Sequence, residues 1–215
     1  MTGQPPAVPD AAATLAADLR ALLVAQYQLE QRERVVIGIA GESGSGKTVT
    51  AVALERAVHA VGIASAILHQ DDYFLRPPRA NHDYRIQDLA AVGPHEVNRA
   101  LMQAHIAAFR ARQRDVRAPK VDYPSDSFLA HQHDFRATRV LIVEGTYALG
   151  LDDLDVRIFL DATHAETRAR RRLRNRDIDA PVIEAILDIE HDLIAPQASS
   201  ADIVIDRDFR IVRRP

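Results

Sequence analysis

The fold is decided by a stretch near the N-terminus that reads VVIGIAGESGSGKT, residues 35–48. The run at residues 34–40 is mainly apolar and does not alternate with polar residues, which is typical of a strand buried on both faces of a parallel sheet. Three glycines follow, and a helical pattern begins at Lys47. A buried strand that turns through glycines into a helix predicts the first unit of an α/β fold.

Similar apolar runs recur along the chain, with helical patterns between them. We predict strands at residues 34–40, 64–69, 139–143, 156–160 and 202–205, and helices at residues 47–61, 94–112, 164–176 and 181–193. Strands that alternate with helices indicate a doubly wound parallel sheet with helices on both faces. Two polar segments, 76–93 and 118–135, are predicted to be long loops or a small subdomain that contacts substrate.

A further helix is predicted ahead of the first strand. Leucines recur at helical spacing from Asp10, the predicted N-cap, to about Gln31. Residues 1–9 hold three prolines and are predicted to be disordered. We therefore divide the chain into an N-terminal tail (1–9), a helix (10–32), one domain (33–207) and a C-terminal tail (208–215).

Composition excludes several classes of function. The 215 residues include 27 Lys+Arg and 30 Asp+Glu, a net charge of −3, so the positive field of a nucleic-acid-binding protein is missing. The chain has no cysteine, which excludes disulfides, cysteine-ligated zinc and thiol nucleophiles. No apolar run approaches the ~18 residues of a membrane span, and the N-terminus has no signal-peptide pattern. We expect a cytoplasmic protein with no nucleic-acid or membrane partner.

The glycine-rich stretch matches G-x-x-x-x-G-K-[ST], the phosphate-binding loop motif. Its glycines let successive backbone N–H groups point into one concavity, and the following helix N-terminus adds partial positive charge. Lys47 is expected to reach the β- and γ-phosphates, and the Thr48 hydroxyl to ligate Mg²⁺. The predicted nucleotide-binding residues are Gly41, Glu42, Ser43, Gly44, Ser45, Gly46, Lys47 and Thr48.

Carboxylates follow two predicted strands at the sheet edge where the phosphate loop opens. Asp71 and Asp72 come after the second strand, where a carboxylate can accept the proton of an attacking hydroxyl or hold a Mg²⁺ water. The alternative is that both cap a turn. Glu144 ends an apolar strand, and it either faces solvent or needs a partner such as Mg²⁺.

Six arginines crowd residues 168–176, too many for one face of a helix. Some must face solvent or pair with acids such as Glu166, and at least one is expected to contact phosphate. His131 and His133 lack a third ligand, so we interpret them as solvent-exposed rather than metal-binding.

Together these motifs resemble the phosphoribulokinase/uridine kinase superfamily of P-loop kinases, and the uridine kinases most. The resemblance covers about residues 35–206. It rests on the phosphate loop, the arginine-rich helix and the segments 70–74, 81–83, 121–123 and 143–145. It implies a five-stranded parallel sheet in the order 2-3-1-4-5 with a lid, and ATP and Mg²⁺ as cofactors.

The resemblance also implies roles for single residues. Asp71 matches the general base for the ribose 5′-hydroxyl, Asp83 matches the acid that binds the ribose hydroxyls, and Glu144 works around Mg²⁺ with Thr48 and, we expect, Asp71. The implied catalytic residues are Asp71, Lys47, Arg172 and Arg176, and the implied acceptor-binding residues are Asp83, Tyr73, Tyr123, Asp126 and Arg168.

Three departures from the uridine kinase pattern fall on the acceptor and lid sides. Asp126 stands where a base-contacting histidine is common, and Val121 stands at a tyrosine position. Residues 178–181 lack two lid cations, and Tyr84-Arg85 replaces a His-Pro pair. These departures lie where an acceptor would be recognised.

We therefore predict a kinase that converts uridine or cytidine to the 5′-monophosphate, with a nucleoside or similar small molecule as its partner. One alternative is a kinase of the same superfamily for pantothenate, nicotinamide riboside or a sugar phosphate, the last because of Arg76, Arg79 and Arg85. Another is a nucleotide-dependent switch with slow ATP hydrolysis. The resemblance also implies assembly as a homo-oligomer.

Overall fold

The computed structural model describes residues 9–173 and 181–213, with side chains except at residues 169–173. The helices are α1 (Asp10–Tyr27), α2 (Lys47–His59), α3 (Pro78–Gln87), α4 (Arg99–Arg110), α5 (His164–Leu173) and α6 (Pro181–Ile194). The strands are β1 (Val35–Gly41), β2 (Ser65–His69), β3 (Val116–Asp122), β4 (Ser127–His133), β5 (Val140–Glu144), β6 (Val156–Asp161), β7 (Ile203–Asp206) and β8 (Ile211–Arg213).

The central sheet confirms the predicted α/β class. Its strand order is β2-β5-β1-β6-β7-β8, and all neighbouring pairs are parallel except β7–β8. The five predicted parallel strands are present, and Ile211–Arg213, within the segment predicted as a tail at 208–215, adds an antiparallel sixth strand. A strand of three residues is too short to show the two-residue alternation that identifies a strand in sequence.

The two irregular segments also contain regular structure. Residues 78–87, predicted as loop, form α3 with Pro78 in its first turn, where proline's missing N–H costs nothing. Asn81 is its one buried residue, so this polar helix lacks the apolar stripe that would have predicted it. Strands β3 and β4 form an antiparallel hairpin separate from the main sheet.

Apolar clusters cover both faces of the main sheet. One cluster includes Phe109 and Phe135, and the other includes the buried leucines of α1, among them Leu15, Leu19 and Leu23. Helix α1 ends at Tyr27 rather than near Gln31, because Gln28 adopts a left-handed conformation with φ of 52°. Pro9, not Asp10, occupies the N-cap position.

Each helix within the described ranges falls short of the length or the apolarity that a membrane span requires.

Candidate active site

The loop between β1 and α2 has the backbone that its glycines predict. Gly44 and Gly46 have φ values of 78° and 106°, a region that other residues rarely adopt. A Cβ on Gly46 would lie 2.8 Å from the ring of Phe209, so the turn before β8 closes against the loop. The Lys47 ammonium donates a hydrogen bond to the carbonyl oxygen of Glu42 at 2.9 Å.

Glu144 lies beside this loop at the carboxyl end of β5. The residue is 5% exposed, and Oε1 accepts a hydrogen bond from the Thr48 hydroxyl at 3.0 Å. Burial alone would raise the pKa of Glu144, but the hydrogen bond from His69 and the charges of His69 and Lys47 hold that pKa below its usual value. An ionised carboxylate next to a hydroxyl supplies the hard oxygen ligands that Mg²⁺ prefers, so these residues fit the ion.

His69 is a site residue that sequence analysis missed. Its Nδ1 lies 2.7 Å from Glu144 Oε1. Burial would lower the pKa of His69, yet the hydrogen bond and charge of Glu144 raise it. Its position at the end of β2, directly before the acidic turn, was the available signal.

The ends of β2 and β5 are locked together by Gln70 and Gly145. A Cβ on Gly145 would lie 2.2 Å from the Gln70 side chain, so only glycine permits this approach. Gln70 donates to the Thr146 hydroxyl and accepts from the Tyr147 backbone N–H, each at 2.9 Å. These contacts fix the turn that carries the next residue, Asp71.

Asp71 and Asp72 have different surroundings. Asp72 is 7% exposed, and it accepts from the Val121 backbone N–H at 2.8 Å and pairs with Lys120 at 3.1 Å. Asp71 is exposed, and Tyr123 donates to its Oδ2 at 3.4 Å. Asp72 therefore anchors the β3–β4 hairpin, whereas the Asp71 carboxylate stays exposed.

Two adjoining cavities of about 240 and 220 Å³ share Asp71, Phe74, His82 and Arg85. The first, here called the phosphate cavity, is also lined by Ser43, Gly44, Lys47, Thr48, Glu144, Thr146, Ile183, Ile186, Leu187 and Glu190. The second, here called the acceptor cavity, is also lined by Arg76, Pro78, Asn81 and Tyr123.

An acidic network supports Arg85 between the cavities. Its guanidinium lies 2.5 Å from Glu96 and 3.2 Å from Glu190, and Asn81 donates to Glu96 at 2.9 Å. Burial raises the pKa of Glu190, against the opposing charges of Arg85 and Lys47. Glu190 falls on the apolar face of α6 with Ile186, a placement that sequence analysis could have detected as an acid within an apolar stripe.

Four predicted acceptor residues lie elsewhere. Tyr73 is buried, and its hydroxyl lies 2.7 Å from His105. Asp83 is exposed and, like the other three, is absent from the lining of both cavities as far as the described residues define it. Asp126 Oδ1 accepts from the backbone N–H of Arg79 at 2.9 Å, in the first turn of α3. Arg168 pairs with Glu184 of α6 at 2.8 Å.

The two predicted catalytic arginines, Arg172 and Arg176, fall at the gap between the two described ranges. Arg176 lies outside the described residues, as do the side chain of Arg172 and residues 178–180 of the departure, whereas Pro181 begins α6. His131 and His133 form no three-ligand group with another described residue. His131 is exposed and His133 is partly buried against Phe135.

Comparison with known proteins identifies the family to which these features belong. Residues 36–210 match the phosphoribulokinase/uridine kinase family. The chain belongs to this family. Family members are kinases that act on hydroxyl acceptors and use ATP, usually with Mg²⁺.

Relatives within the phosphoribulokinase/uridine kinase family differ in the acceptor that their names give. A bifunctional α-galactosidase/sucrose kinase of Mediterraneibacter gnavus is 30% identical over 81% of this chain, which matches 20% of that protein's length. The uridine kinase of Staphylococcus aureus (strain JH9) is 31% identical over 79% of this chain and 86% of its own length.

The fold of the family is also seen in solved structures. A possible uridine kinase from Bacillus stearothermophilus superposes with a TM-score of 0.61 at 19% identity, covering 91% of this chain and 97% of that one. This likeness supports the architecture of the P-loop kinase fold.

Proposed function

We propose that this protein transfers the γ-phosphoryl group of ATP to a hydroxyl of a small polyhydroxylated acceptor, with Asp71 as the general base. The observation that carries the proposal is that Asp71 lines both the phosphate cavity and the acceptor cavity. A carboxylate shared by two adjoining cavities can accept the proton of a hydroxyl as it attacks the phosphorus in line.

The phosphate loop would hold the nucleotide. Lys47 would exchange its hydrogen bond to the Glu42 carbonyl for the β- and γ-phosphates. Thr48 and Glu144 would hold Mg²⁺, which when bound offsets the charge of the phosphates. Because Glu144 is buried and hydrogen-bonded on the Thr48 side, its carboxylate keeps one orientation without rearrangement during the reaction.

A carbohydrate hydroxyl is the acceptor that the acceptor cavity favours. Asn81 lines this cavity, and its buried Oδ1 has no hydrogen-bond partner among the described residues. An unpartnered buried carbonyl is costly, and an acceptor hydroxyl can satisfy it. Arg76 and His82 line the same wall and can donate to sugar oxygens. The sucrose kinase relative is consistent with this class.

A sugar phosphate is less well supported. The positive charge of Arg85 is neutralised by Glu96 and Glu190. The Arg76 guanidinium lies 3.7 Å from the centre of the Tyr84 ring. Of the three arginines that suggested a phosphorylated acceptor, Arg85 is therefore already neutralised by two acids, whereas Arg76 keeps its N–H donors while it stacks on Tyr84.

Uridine or cytidine is the second candidate acceptor. Tyr123 and Phe74 give the acceptor cavity two aromatic walls, against which a pyrimidine can stack. The Staphylococcus aureus relative, a uridine kinase, supports this candidate. Asp126 and Asp83 do not, since neither lines the cavity among the residues the structure covers.

A coupled ADP-release screen tests the proposal. The acceptors would be mono- and disaccharides, uridine, cytidine, glycerate, pantothenate, nicotinamide riboside and sugar phosphates, each with Asp71→Asn as the matched control. We expect ADP release that requires a polyhydroxylated acceptor and falls about 10²–10⁴-fold in the variant. ADP release at the same rate with and without acceptors would favour a nucleotide-dependent switch instead.

A further inference from the structure

A buried carboxylate of the phosphate loop is held by two histidines from other elements. Glu42, the second residue of the motif, is 5% exposed. Its Oε1 lies 2.7 Å from Nδ1 of His191 on α6, and its Oε2 lies 3.2 Å from Nδ1 of His164, the first residue of α5. Three segments distant in sequence thus meet at one carboxylate.

Burial of this carboxylate requires a positive partner. No lysine or arginine with a described side chain lies within 4.0 Å of its oxygens; His164 and His191 are the basic groups there. A carboxylate removed from water is costly unless it is paired or coordinates a metal. Its Oε2 also accepts the backbone N–H of His164 at 2.5 Å, which fixes the orientation of the group.

The second ring nitrogen of His164 provides an independent observation. Its Nε2 lies 3.2 Å from Oδ1 of Asp188. Histidines that bind metals through one nitrogen commonly donate the other N–H to a carboxylate, which sets the tautomer and the ring orientation. His164 therefore faces Glu42 with Nδ1 and Asp188 with Nε2. In this arrangement Asp188 would orient the ring and Nδ1 would bind the metal.

The spacing suits a tetrahedral ion. One ligand atom from each of Glu42, His164 and His191 can be chosen so that all three lie within 4.8 Å of one another. Zinc–nitrogen bonds of 2.0–2.1 Å in tetrahedral geometry separate ligands by about 3.3 Å, and the distances from Glu42 to His164 and His191, 3.2 and 2.7 Å, are close to that value. Two imidazoles and one carboxylate leave a fourth position for water. This donor set suits zinc-like ions, whereas Mg²⁺ and Ca²⁺ prefer oxygen ligands.

We propose that Glu42, His164 and His191 form a binding site for a first-row divalent ion of the Zn²⁺ class, separate from the Mg²⁺ position at Thr48 and Glu144. The ion joins the phosphate loop to the first turn of α5 and to α6. Binding therefore stabilises the approach of both helices to the loop, and it does so whether or not an acceptor is present.

Metal titration of the full chain, with any polyhistidine tag removed, tests the site. Zn²⁺ would be titrated in competition with a fluorescent zinc indicator, and Co²⁺ would be followed by its visible absorption as a report of low-symmetry coordination. The variants are His191→Ala, Asp188→Asn and the matched control His131→Ala, whose histidine is exposed on β4.

We expect one tight equivalent in the wild type and in His131→Ala. Affinity should fall roughly 10–100-fold in Asp188→Asn, as for outer partners of metal ligands, and further in His191→Ala. Zn²⁺ should raise the melting temperature of the wild type but not of His191→Ala. Circular dichroism checks that both variants are folded. Binding that His191→Ala leaves unchanged, or a Co²⁺ spectrum that matches that of the hydrated ion, would overturn the proposal.

Discussion

Oδ1 of Asp72 accepts a hydrogen bond from the backbone N–H of Val121 at 2.8 Å, which ties the β2 end of the main sheet to the β3–β4 hairpin. The preceding residue, Asp71, instead lines both cavities. Asp72 therefore anchors the hairpin, and its neighbour Asp71 is the proposed general base.

Alanine substitutions at Asp71 and Asp72 should separate the catalytic role from the anchoring role. We expect Asp71→Ala to lower kcat about 10²–10⁴-fold with a free energy of unfolding within about 0.5 kcal/mol of wild type, because Asp71 is exposed. Asp72→Ala should lose about 1–3 kcal/mol of stability, because it leaves the buried N–H of Val121 unpaired. Steady-state kinetics and urea unfolding measure both. The reverse pattern would exchange the two assignments.

Replacement of Glu144 should change the metal requirement. Glu144→Gln keeps the shape of the side chain but removes the charge that Mg²⁺ needs, so we expect the Mg²⁺ concentration for half-maximal activity to rise roughly 10-fold or more. The control is Glu33→Gln, whose side chain is 81% exposed. Superimposable Mg²⁺ titrations of wild type and Glu144→Gln would remove Glu144 from the metal site.

Neighbouring residues of α3 offer a test of acceptor binding. Asn81→Ala removes a polar side chain of the acceptor cavity whose Oδ1 has no hydrogen-bond partner among the described residues, so we expect KM for the acceptor to rise about 5–10-fold, the value of one hydrogen bond. KM for ATP should stay constant. Asp83→Ala, an exposed position two residues along, should change neither KM. An acceptor KM that responds to Asp83 alone would restore the role that the family resemblance implied for it.

His133, on strand β4 of the hairpin, should make the free energy of unfolding depend on pH below neutrality. Burial, and then the charge of His131, lower the pKa of His133 to about 4. The unfolded chain binds this proton near pH 6.5, so the native state loses stability as the pH falls from about 6.5 toward about 4, and the effect is absent above that window. We expect His133→Gln, but not His131→Gln, to reduce the loss of melting temperature between pH 7.5 and 5. Equal losses in both variants would contradict the assignment.

The parts of the site that sequence predicted are contiguous motifs. The phosphate loop follows the buried strand β1 and Asp71 follows the edge strand β2, and parallel strands bring their carboxyl ends to one edge. Which of two neighbours faces the cavity was harder to predict. Tyr73 and Phe74 follow each other at the end of a short 3₁₀ helix; Tyr73 is buried and Phe74 lines the cavity.

The parts that sequence missed depend on contacts between distant segments. Glu190 reaches Arg85 only once α6 packs near α3, and Asp126 caps α3 from the far end of the hairpin. No local pattern encodes such pairings. Helix α3 itself was missed because its polar sequence lacks an apolar stripe.

Helix α1 lies upstream of residues 36–210, the range matched by the family, yet Leu19 and Leu23 in it are fully buried beneath the same sheet as β1. The boundary of similarity is therefore not the boundary of the cooperative folding unit. A gene fragment trimmed to the matched range would encode a protein without α1, in which the apolar surface that the leucines of α1 cover would be exposed to water. Poor solubility of that fragment would reflect the trimming rather than any defect in catalysis.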